Sequence, residues 1–294
     1  MGLSATSKPS WLKTILPGRG EFRKVKGLLR RYRLNTVCEA ARCPNLGRCW
    51  AKGTATVMIL GSICTRSCRF CAVKTGRPEP VDPEEPERIA TAASKLGLSY
   101  LVITSVDRDD LADLGASQFA RVVELVRKQG VEVEVLVPDF DAKEELIKRV
   151  VDEGPQVFAH NLETVARLTP EVRDPRHSYD RSLEVLRIAR RLKPGLITKT
   201  GLMVGLGEDE EEVIRAMRDA RSAGVDIFTI GQYLQPTRNH LPVQAYIPPH
   251  TFSRYQRIGT ELGLKVVSGP LVRSSYKAAE IYHQLRRDYG SGSV

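Results

Sequence analysis

Short β-branched runs alternate with longer amphipathic segments along most of this chain, and that alternation limits how it can fold more than any other feature. The pattern predicts six strands, at 55–63, 100–105, 132–137, 157–162, 197–205 and 227–234. Helical patterns fall between them, near 85–97, 117–129, 141–152, 178–192 and 208–223. Strands that alternate with helices predict a parallel α/β architecture, either a barrel or an open sheet.

Polar residues cluster where the predicted strands end, which favours the barrel. A (β/α) barrel displays its active site at the carboxyl ends of its strands, whereas an open sheet concentrates ligands at one switch point. No glycine-rich phosphate loop opens the first helix, so a nucleotide-binding open sheet is the weaker alternative. The polar residues at the strand ends are Thr104, Ser105, Asp107, Asp139, Asn161, Glu163 and Gln232.

The pattern also predicts that the chain is divided into three parts. Residues 54–240 form the barrel, and residues 1–53 and 241–294 are extensions that wrap over it. The C-terminal extension contains a further helix near 250–262, a possible strand at 264–268 and a last helix that starts near Ser275.

Composition indicates a globular protein of the cytoplasm. Of its 294 residues, 41% are hydrophobic and 27% are charged, enough for a sizeable core. The longest apolar stretches, such as residues 55–60, are too short to span a bilayer, and the first residues lack the apolar region of a secretory signal. We therefore expect no membrane contact.

The net charge of +10 is unevenly distributed, because residues 12–33 carry eight Lys or Arg against Glu21 alone. Such a segment can steer an acidic partner, or it can be a solvated, partly disordered arm. Nucleic acid is a poor candidate partner, since only Phe22 and Tyr32 interleave with the charges as stacking aromatics.

All six cysteines lie between residues 38 and 71. In an intracellular chain this clustering indicates metal or cluster binding rather than a disulfide scaffold. Three thiolates can hold three irons of a 4Fe–4S cubane and leave the fourth iron open. Zinc would need a further ligand nearby, and the nearest histidine is His160. The two groups are Cys38, Cys43 and Cys49, and Cys64, Cys68 and Cys71.

The second group, CTRSCRFC at 64–71, resembles the radical S-adenosylmethionine (SAM) enzymes, in its spacing and in Phe70 before the last cysteine. The resemblance implies that SAM chelates the open iron and is cleaved to a 5′-deoxyadenosyl radical. GLMVGLGE at 201–208 is similar to the pattern that shapes the adenine pocket through Gly201, Met203, Gly205 and Glu208. A strand bulge followed by a turn is the alternative explanation for these glycines.

The first group, spaced four and then five residues, resembles one family within this superfamily, the lipoyl synthases. The resemblance extends over roughly residues 25–285 and implies a partial (β/α)6 barrel of the TIM type, with extensions covering its mouth. It runs through GTATVMILGSICTRSCRFCAVKTGRP, TSVDRDDL, LVPDF, HNLETV, TKTGLMVGLGE, GQYLQPTRNHLPV and GPLVRSSYKA.

In that family a serine of the RSSY motif completes an auxiliary 4Fe–4S cluster. Ser274 and Ser275 are the candidates here, and Ser275 is favoured. The alternative role for a serine before YKAAE is a helix N-cap.

The resemblance implies insertion of two sulfur atoms at C6 and C8 of an octanoyl chain on a lysine of a carrier protein. Each sulfur needs one SAM, and the auxiliary cluster gives up its sulfides, with loss of the serine ligand. The implied carriers are lipoyl domains of 2-oxoacid dehydrogenases or the glycine cleavage carrier protein. The implied electron donor is a ferredoxin or flavodoxin, and we expect a monomer.

The resemblance also suggests residues that contact SAM or the substrate, each of which could instead be an ordinary satisfied residue. Asn161 and Glu163 would bind the ribose or amino acid part of SAM, Lys199 its carboxylate, and Arg273 SAM or the substrate. His160 and His240 are expected to be structural. The full set of candidate contacts is Phe70, Thr104, Ser105, Asn161, Glu163, Lys199, Met203, Gln232, Tyr233 and Arg273.

The chain departs from the family pattern at four positions without losing a ligand. Ala40 and Arg48 replace glutamates, Ala72 replaces an aspartate and Leu114 replaces a glycine. Biotin synthases and methylthiotransferases, the nearest alternatives, lack the first cysteine triplet joined to RSSY. A non-catalytic zinc or iron–sulfur module that docks nucleic acid is the alternative from another class.

Overall fold

An eight-stranded sheet flanked by helices forms the centre of the protein, in a computed structural model that describes residues 8–13, 19–51 and 56–291. The strands are β1 Asn35–Thr36, β2 Thr56–Ile59, β3 Ile63–Cys64, β4 Lys74–Thr75, β5 Tyr100–Ser105, β6 Glu132–Leu136, β7 Val157–Ala159, β8 Ile197–Val204, β9 Ile227–Gln232 and β10 Lys265–Gly269. The helices are α1 Arg19–Arg31, α2 Val37–Ala40, α3 Leu46–Ala51, α4 Glu85–Leu96, α5 Ala116–Lys128, α6 Glu144–Asp152, α7 Thr169–Val172, α8 Tyr179–Leu192, α9 Glu210–Ser222, α10 Pro249–Glu261 and α11 Ala278–Ser291.

The sheet order is β1-β2-β5-β6-β7-β8-β9-β10, with β1 antiparallel to β2 and every other neighbour parallel. The predicted α/β class and partial barrel are confirmed. All six predicted strands are present, and β10 adds a parallel strand from the C-terminal extension. The division of the chain into 1–53, 54–240 and 241–294 stays a prediction.

Two predicted strands are at least three residues shorter than expected, whereas the other four differ by two residues at most. The first ends at Ile59 because Leu60 and Gly61 both take positive φ values, 67° and 92°; residue 55 lies outside the described residues. The fourth ends at Ala159, and the chain then bulges before Glu163 pairs again with Leu202.

The outward faces of the strands pack on the helices to form the largest core. Leu101, Ile103 and Val135 are buried there against Phe119 and Val122 of α5. Both faces of these strands are buried. Successive side chains point to opposite faces of a strand, so one face packs on the helices and the other lines the barrel interior.

The C-terminal extension closes the barrel at both ends. Residues 240–247 cover the mouth, where Leu241 donates its backbone N–H to Arg69 and Gln244 donates its own to Gly205. At the opposite end α11 packs Ile281, Tyr282 and Leu285 against the first residues of three strands, Val157, Ile197 and Ile227. The sequence predicts that this extension covers the mouth of the barrel. Only part of the extension does so, because α11 packs at the opposite end.

The loop after β10 joins the two sides of the sheet. The Asn45 side chain donates to the backbone oxygen of Leu271 (2.6 Å), and Thr56 Oγ1 donates to Ser275 Oγ (2.9 Å). Gly231 on β9 makes room for the loop, because a Cβ there would clash with the backbone oxygen of Val272. The two extensions thus meet, as the sequence predicts.

Leu114, which replaces a glycine of the family pattern, has a left-handed backbone with φ of 52°. That conformation costs about 1–2 kcal/mol for a residue with a Cβ. The side chain is buried in the core, which stabilises the fold by about 1.5–3 kcal/mol. Burial therefore offsets the backbone strain.

None of the helices in the described part of the chain has the length and apolar character needed to cross a membrane.

Candidate active site

The loop that follows β2 carries Cys64, Cys68 and Cys71, and backbone N–H groups point at its sulfurs. Asp107 donates to Cys64 Sγ at 3.3 Å, and Asp174 donates to Cys68 Sγ at the same distance. Donors of this kind stabilise the negative charge of a thiolate. No cysteine of the chain forms a disulfide. The loop therefore fits the thiolate ligands of an iron–sulfur cluster.

Acidic residues from three other loops fix the residues between these cysteines. Thr65 Oγ1 donates to Asp109 (2.5 Å), and the backbone N–H of Ser67 donates to Asp174 (2.8 Å). The buried guanidinium of Arg66 bonds to both Asp109 (2.8 Å) and Asp139 (2.7 Å).

Sequence reasoning missed Arg66 as a positioning residue for the loop. The acidic runs in TSVDRDDL and LVPDF were the available signal, since Asp109 and Asp139 lie in them. Burial by itself would raise the pKa of Asp139, but His177 and Arg66 bond to its carboxylate and hold that pKa well below its usual range. Asp139 is therefore a carboxylate at neutral pH and a permanent partner of Arg66.

Burial raises the pKa of the Cys64 and Cys71 thiols to about 12 and that of Cys68 to about 11. Without iron these thiols keep their protons at neutral pH. Loading a cluster must therefore release the protons, which couples assembly to pH.

Unsatisfied polar atoms lie beside this loop at the mouth of the barrel. Asn161 Nδ2 donates to Glu163 (3.0 Å), but Asn161 Oδ1 and Ser105 Oγ are buried without a hydrogen-bond partner. Glu163 has a left-handed backbone with φ of 66°, and the charge of its carboxylate raises the pKa of Cys68 and Cys71. Strain and unsatisfied groups beside a cluster loop indicate a ligand site, and the polar amino acid and ribose parts of SAM fit it.

Two other candidate contacts, Gln232 and Tyr233, anchor the segment that covers the mouth. Gln232 donates to the backbone oxygen of Ala245 (2.9 Å) and accepts from the backbone N–H of Ile247 (2.8 Å). Tyr233 donates its hydroxyl to the backbone oxygen of Leu241 (2.8 Å). Their contact with SAM or the substrate stays a prediction.

The remaining candidates at the mouth lie close to the same core. Phe70 and Met203 are half-buried and pack against one core cluster. Thr104 is buried and donates to the backbone oxygen of Leu136 (3.0 Å). The two histidines predicted to be structural are hydrogen-bonded through both ring nitrogens, His160 to Val137 and Ser182, and His240 to Cys71 and Thr237. Their role stays a prediction.

The glycines of GLMVGLGE are required by packing and by a turn. A Cβ at Gly201 would clash with Thr229 Oγ1, and one at Gly205, where φ is 98°, would clash with Gln232. Glu208 accepts the backbone N–H groups of Gly205 and Leu206 and closes the turn. The turn alternative accounts for these residues, and their contact with adenine stays a prediction.

Lys199 is engaged with a carboxylate inside the barrel. Its Nζ lies 2.7 Å from Glu134 Oε1, and the two side chains are 1% and 2% exposed. Tyr100 donates its hydroxyl to the same carboxylate (2.9 Å). Lys199 thus has a protein partner in the position where the sequence predicted a contact with the SAM carboxylate.

Cys38, Cys43 and Cys49 lie on and between α2 and α3. Cys38 is buried with Trp50 against α1. The indole Nε1 of Trp50 is buried without an acceptor. Burial raises the pKa of the Cys38 thiol overall, while hydrogen bonding from the Thr56 backbone opposes that rise. A donor near this sulfur fits a thiolate ligand.

Ser275 and Arg273 reach this first cysteine group from the C-terminal loop. Thr56 Oγ1 donates to Ser275 Oγ (2.9 Å), and the next residue, Val57, pairs with Thr36, two positions before Cys38. Burial lowers the pKa of Arg273, and the nearby Cys43 opposes that shift. The N-cap alternative for Ser275 is wrong, and so is the predicted helix start, because α11 begins three residues later at Ala278.

No three His, Cys, Asp or Glu side chains of residues 8–13, 19–51 and 56–291 are grouped to hold a metal ion. A cubane does not need such convergence, because each cysteine binds a different iron.

Comparison with known proteins identifies relatives over nearly the whole chain. Residues 58–233 match the Radical SAM superfamily, and residues 3–43 match the N-terminal domain of lipoyl synthase. The lipoyl synthase of Thermus thermophilus is 54% identical over 94% of this chain and 87% of its own length. That of Rubrobacter xylanophilus is 56% identical over 95% and 88%.

Solved structures are similar in fold alone. SuiB of Streptococcus suis, bound to S-adenosylmethionine, superposes with a TM-score of 0.55 at 14% identity, over 76% of this chain and 54% of that one. HydG of Carboxydothermus hydrogenoformans gives 0.56 at 13% identity, over 90% and 78%.

Replacing Lys199 by methionine separates its two possible roles. If it serves the buried pair, Lys199→Met leaves Glu134 without its cation and lowers the free energy of unfolding by about 3–5 kcal/mol. The further change Glu134→Gln then recovers most of that loss. Denaturant unfolding of the three proteins, with SAM binding by calorimetry, checks this. A single variant of wild-type stability that loses SAM affinity would establish the carboxylate contact instead.

Proposed function

The chain belongs to the lipoyl synthase family of the radical SAM superfamily, and we propose that its two cysteine groups have separate roles in the family's reaction. That reaction inserts two sulfur atoms at C6 and C8 of an octanoyl chain on a lysine of a lipoyl carrier protein. Membership of the superfamily implies a 4Fe–4S cluster and SAM, which Cys64, Cys68 and Cys71 would bind. Cys38, Cys43, Cys49 and Ser275 would hold an auxiliary 4Fe–4S cluster.

One observation carries the assignment of the auxiliary cluster. Thr56 Oγ1 lies 2.9 Å from Ser275 Oγ, and the next residue, Val57, pairs with Thr36, two positions before Cys38. The bond between Asn45 and Leu271 holds the stretch between Cys43 and Cys49 against the same C-terminal loop. These contacts support the fourth ligand implied by the family.

The chain's own residues would bind the cofactors, orient SAM and shield the site from water. No side chain is basic enough to open an unactivated C–H bond, so the bound cofactors supply the radical and the sulfur. Ser105, Asn161 and Glu163 would orient SAM beside the cysteine loop. The segment 240–247, held by Gln232 and Tyr233, would exclude water from the mouth.

The basic segment supports docking of an acidic carrier domain. Within it, α1 is a helix that packs Val25 and Leu29 into the protein, while Arg23, Arg30 and Arg31 are exposed. Complementary charge raises the association rate more than it deepens affinity. Residues 14–18 of the segment lie outside the described residues.

Lipoyl carrier proteins are the substrates that family membership implies. Several finer points stay predictions: which carrier is served, ferredoxin or flavodoxin as electron donor, the monomeric state, the absence of nucleic acid as a partner and the cytoplasmic location.

The decisive experiment uses the full chain reconstituted with iron and sulfide without oxygen. It is incubated with SAM, a reductant and an octanoyllysine peptide, and the mass of the product is measured by mass spectrometry. We expect insertion of two sulfur atoms and near eight irons per chain, two cubanes' worth. A protein that binds only zinc, or that cleaves SAM without adding sulfur, would contradict the proposal.

Ser275→Ala should leave 5′-deoxyadenosine formation largely intact and lower sulfur insertion at least tenfold, because the auxiliary cluster loses one ligand. Both products are quantified in the same reaction. Ser274→Ala is the matched control and should behave as wild type. Wild-type insertion by the Ser275 variant would show that this serine is not a ligand.

Reversing three charges of α1, Arg23→Glu, Arg30→Glu and Arg31→Glu, should raise KM for an octanoylated carrier domain about tenfold at low salt. The difference should shrink at high salt, because exposed charges are screened. Turnover of the short peptide should not change. Reversal of Lys148, Arg218 and Arg257, exposed residues elsewhere, is the control. An equal effect of both sets would exclude docking through α1.

A further inference from the structure

Thr56 lies where the two halves of the proposed auxiliary site meet. It is the first residue of β2 and only 4% exposed. Its hydroxyl donates to Ser275 Oγ across 219 positions of sequence (2.9 Å). The next residue, Val57, pairs with Thr36, which lies two positions before Cys38. Thr56 thus bonds to the proposed serine ligand and lies on the strand that pairs beside the first cysteine group.

The backbone of Thr56 is held in the sheet, whereas Ser275 lies in a loop outside any strand or helix. Thr56 pairs with Val102 in the parallel register of β2 and β5, and the next residue, Val57, pairs with Thr36 of β1. Ser275 lies in a loop whose turn is closed by backbone bonds from Val272 and Tyr276. The fixed residue therefore positions the loop residue.

We propose that Thr56 is a positioning residue for the auxiliary cluster, whose hydroxyl holds Ser275 Oγ in the place of the fourth ligand. This inference rests on the proposed function. An iron-bound serine oxygen is anionic, and an O–H donor strengthens when its acceptor carries charge. Hydrogen bonds to charged groups contribute enough to change an equilibrium about tenfold or more. Thr56 would thus hold the Ser275 oxygen in the position from which it can bind iron.

The test isolates the auxiliary cluster and does not depend on turnover. The full chain carries Cys64→Ala, Cys68→Ala and Cys71→Ala, so that only the first cysteine group binds iron. After reconstitution, transfer of iron to an excess of chelator is followed by absorbance. Thr56→Val removes the hydroxyl at nearly constant shape, and Thr56→Ser keeps it.

We expect Thr56→Val to release iron at least tenfold faster than the parent, and Thr56→Ser to stay within about twofold. Ser275→Ala should release iron as fast as Thr56→Val, and the double variant should be no faster than Ser275→Ala, because both changes remove one interaction. Circular dichroism confirms folding, and Thr56→Ala replaces the valine variant if that variant does not fold.

The outcomes separate this inference from the proposed function. If Ser275→Ala accelerates release but Thr56→Val does not, Ser275 remains a ligand and the role of Thr56 is excluded. If Thr56→Val still accelerates release in the Ser275→Ala background, Thr56 acts by another route and the inference is wrong. If Ser275→Ala releases iron at the parent rate, both the ligand assignment and the inference fail.

Discussion

The parallel pairing of β2 with β5 is the constraint on which both candidate sites depend. Its register, from Thr56 with Val102 to Ile59 with Ser105, fixes one strand between the two cysteine groups. At its start Thr56 bonds to Ser275 and Val57 pairs with Thr36, two positions before Cys38. Five residues beyond its end Cys64 begins the second group. Eight residues of extended chain span at most about 29 Å, so this strand bounds the distance between the two sites. A shift of β2 would move both sites together.

The second cysteine group takes its shape from the assembled barrel and not from its own few residues. Arg66 is a buried cation, and a buried cation without partners would be strongly destabilising. Its partners Asp109 and Asp139 follow two different strands, and Asp174, which holds Ser67, follows α7. These carboxylates come together only when the sheet has formed. The loop can therefore present its three thiols correctly only in the folded protein, and cluster loading is coupled to folding.

Periodicity predicted the strands and helices well, because each buries one regular face on the core. The same periodicity could not predict the end of β2, which depends on the positive φ of Leu60. Nor could it predict the interruption after β7, beyond which Glu163, also with a positive φ, pairs again with Leu202. The cysteines and Ser275 followed from spacing and resemblance. The surroundings of Lys199 did not, because its partner Glu134 is 65 positions away and only the barrel interior brings them together. The sequence likewise suggests that Gln232 contacts a ligand at the barrel mouth. Its bonds to Ala245 and Ile247 could not be predicted, because those residues lie in a segment with no regular pattern.

Of the proposed auxiliary ligands, Cys38 is held more firmly than Ser275. That difference suits a cluster that is consumed. Cys38 is buried in a small core with Val25, Leu29 and Trp50, so its position is fixed by packing. Ser275 is half-buried on a loop, and two side-chain bonds, Asn45 to Leu271 and Thr56 to Ser275, join that loop to the first cysteine group. A serine oxygen is also a harder donor than a thiolate and leaves iron readily once it is protonated. If the proposed auxiliary cluster is consumed, Ser275 would be the ligand whose departure disturbs no hydrophobic core, and packing would keep Cys38 in place.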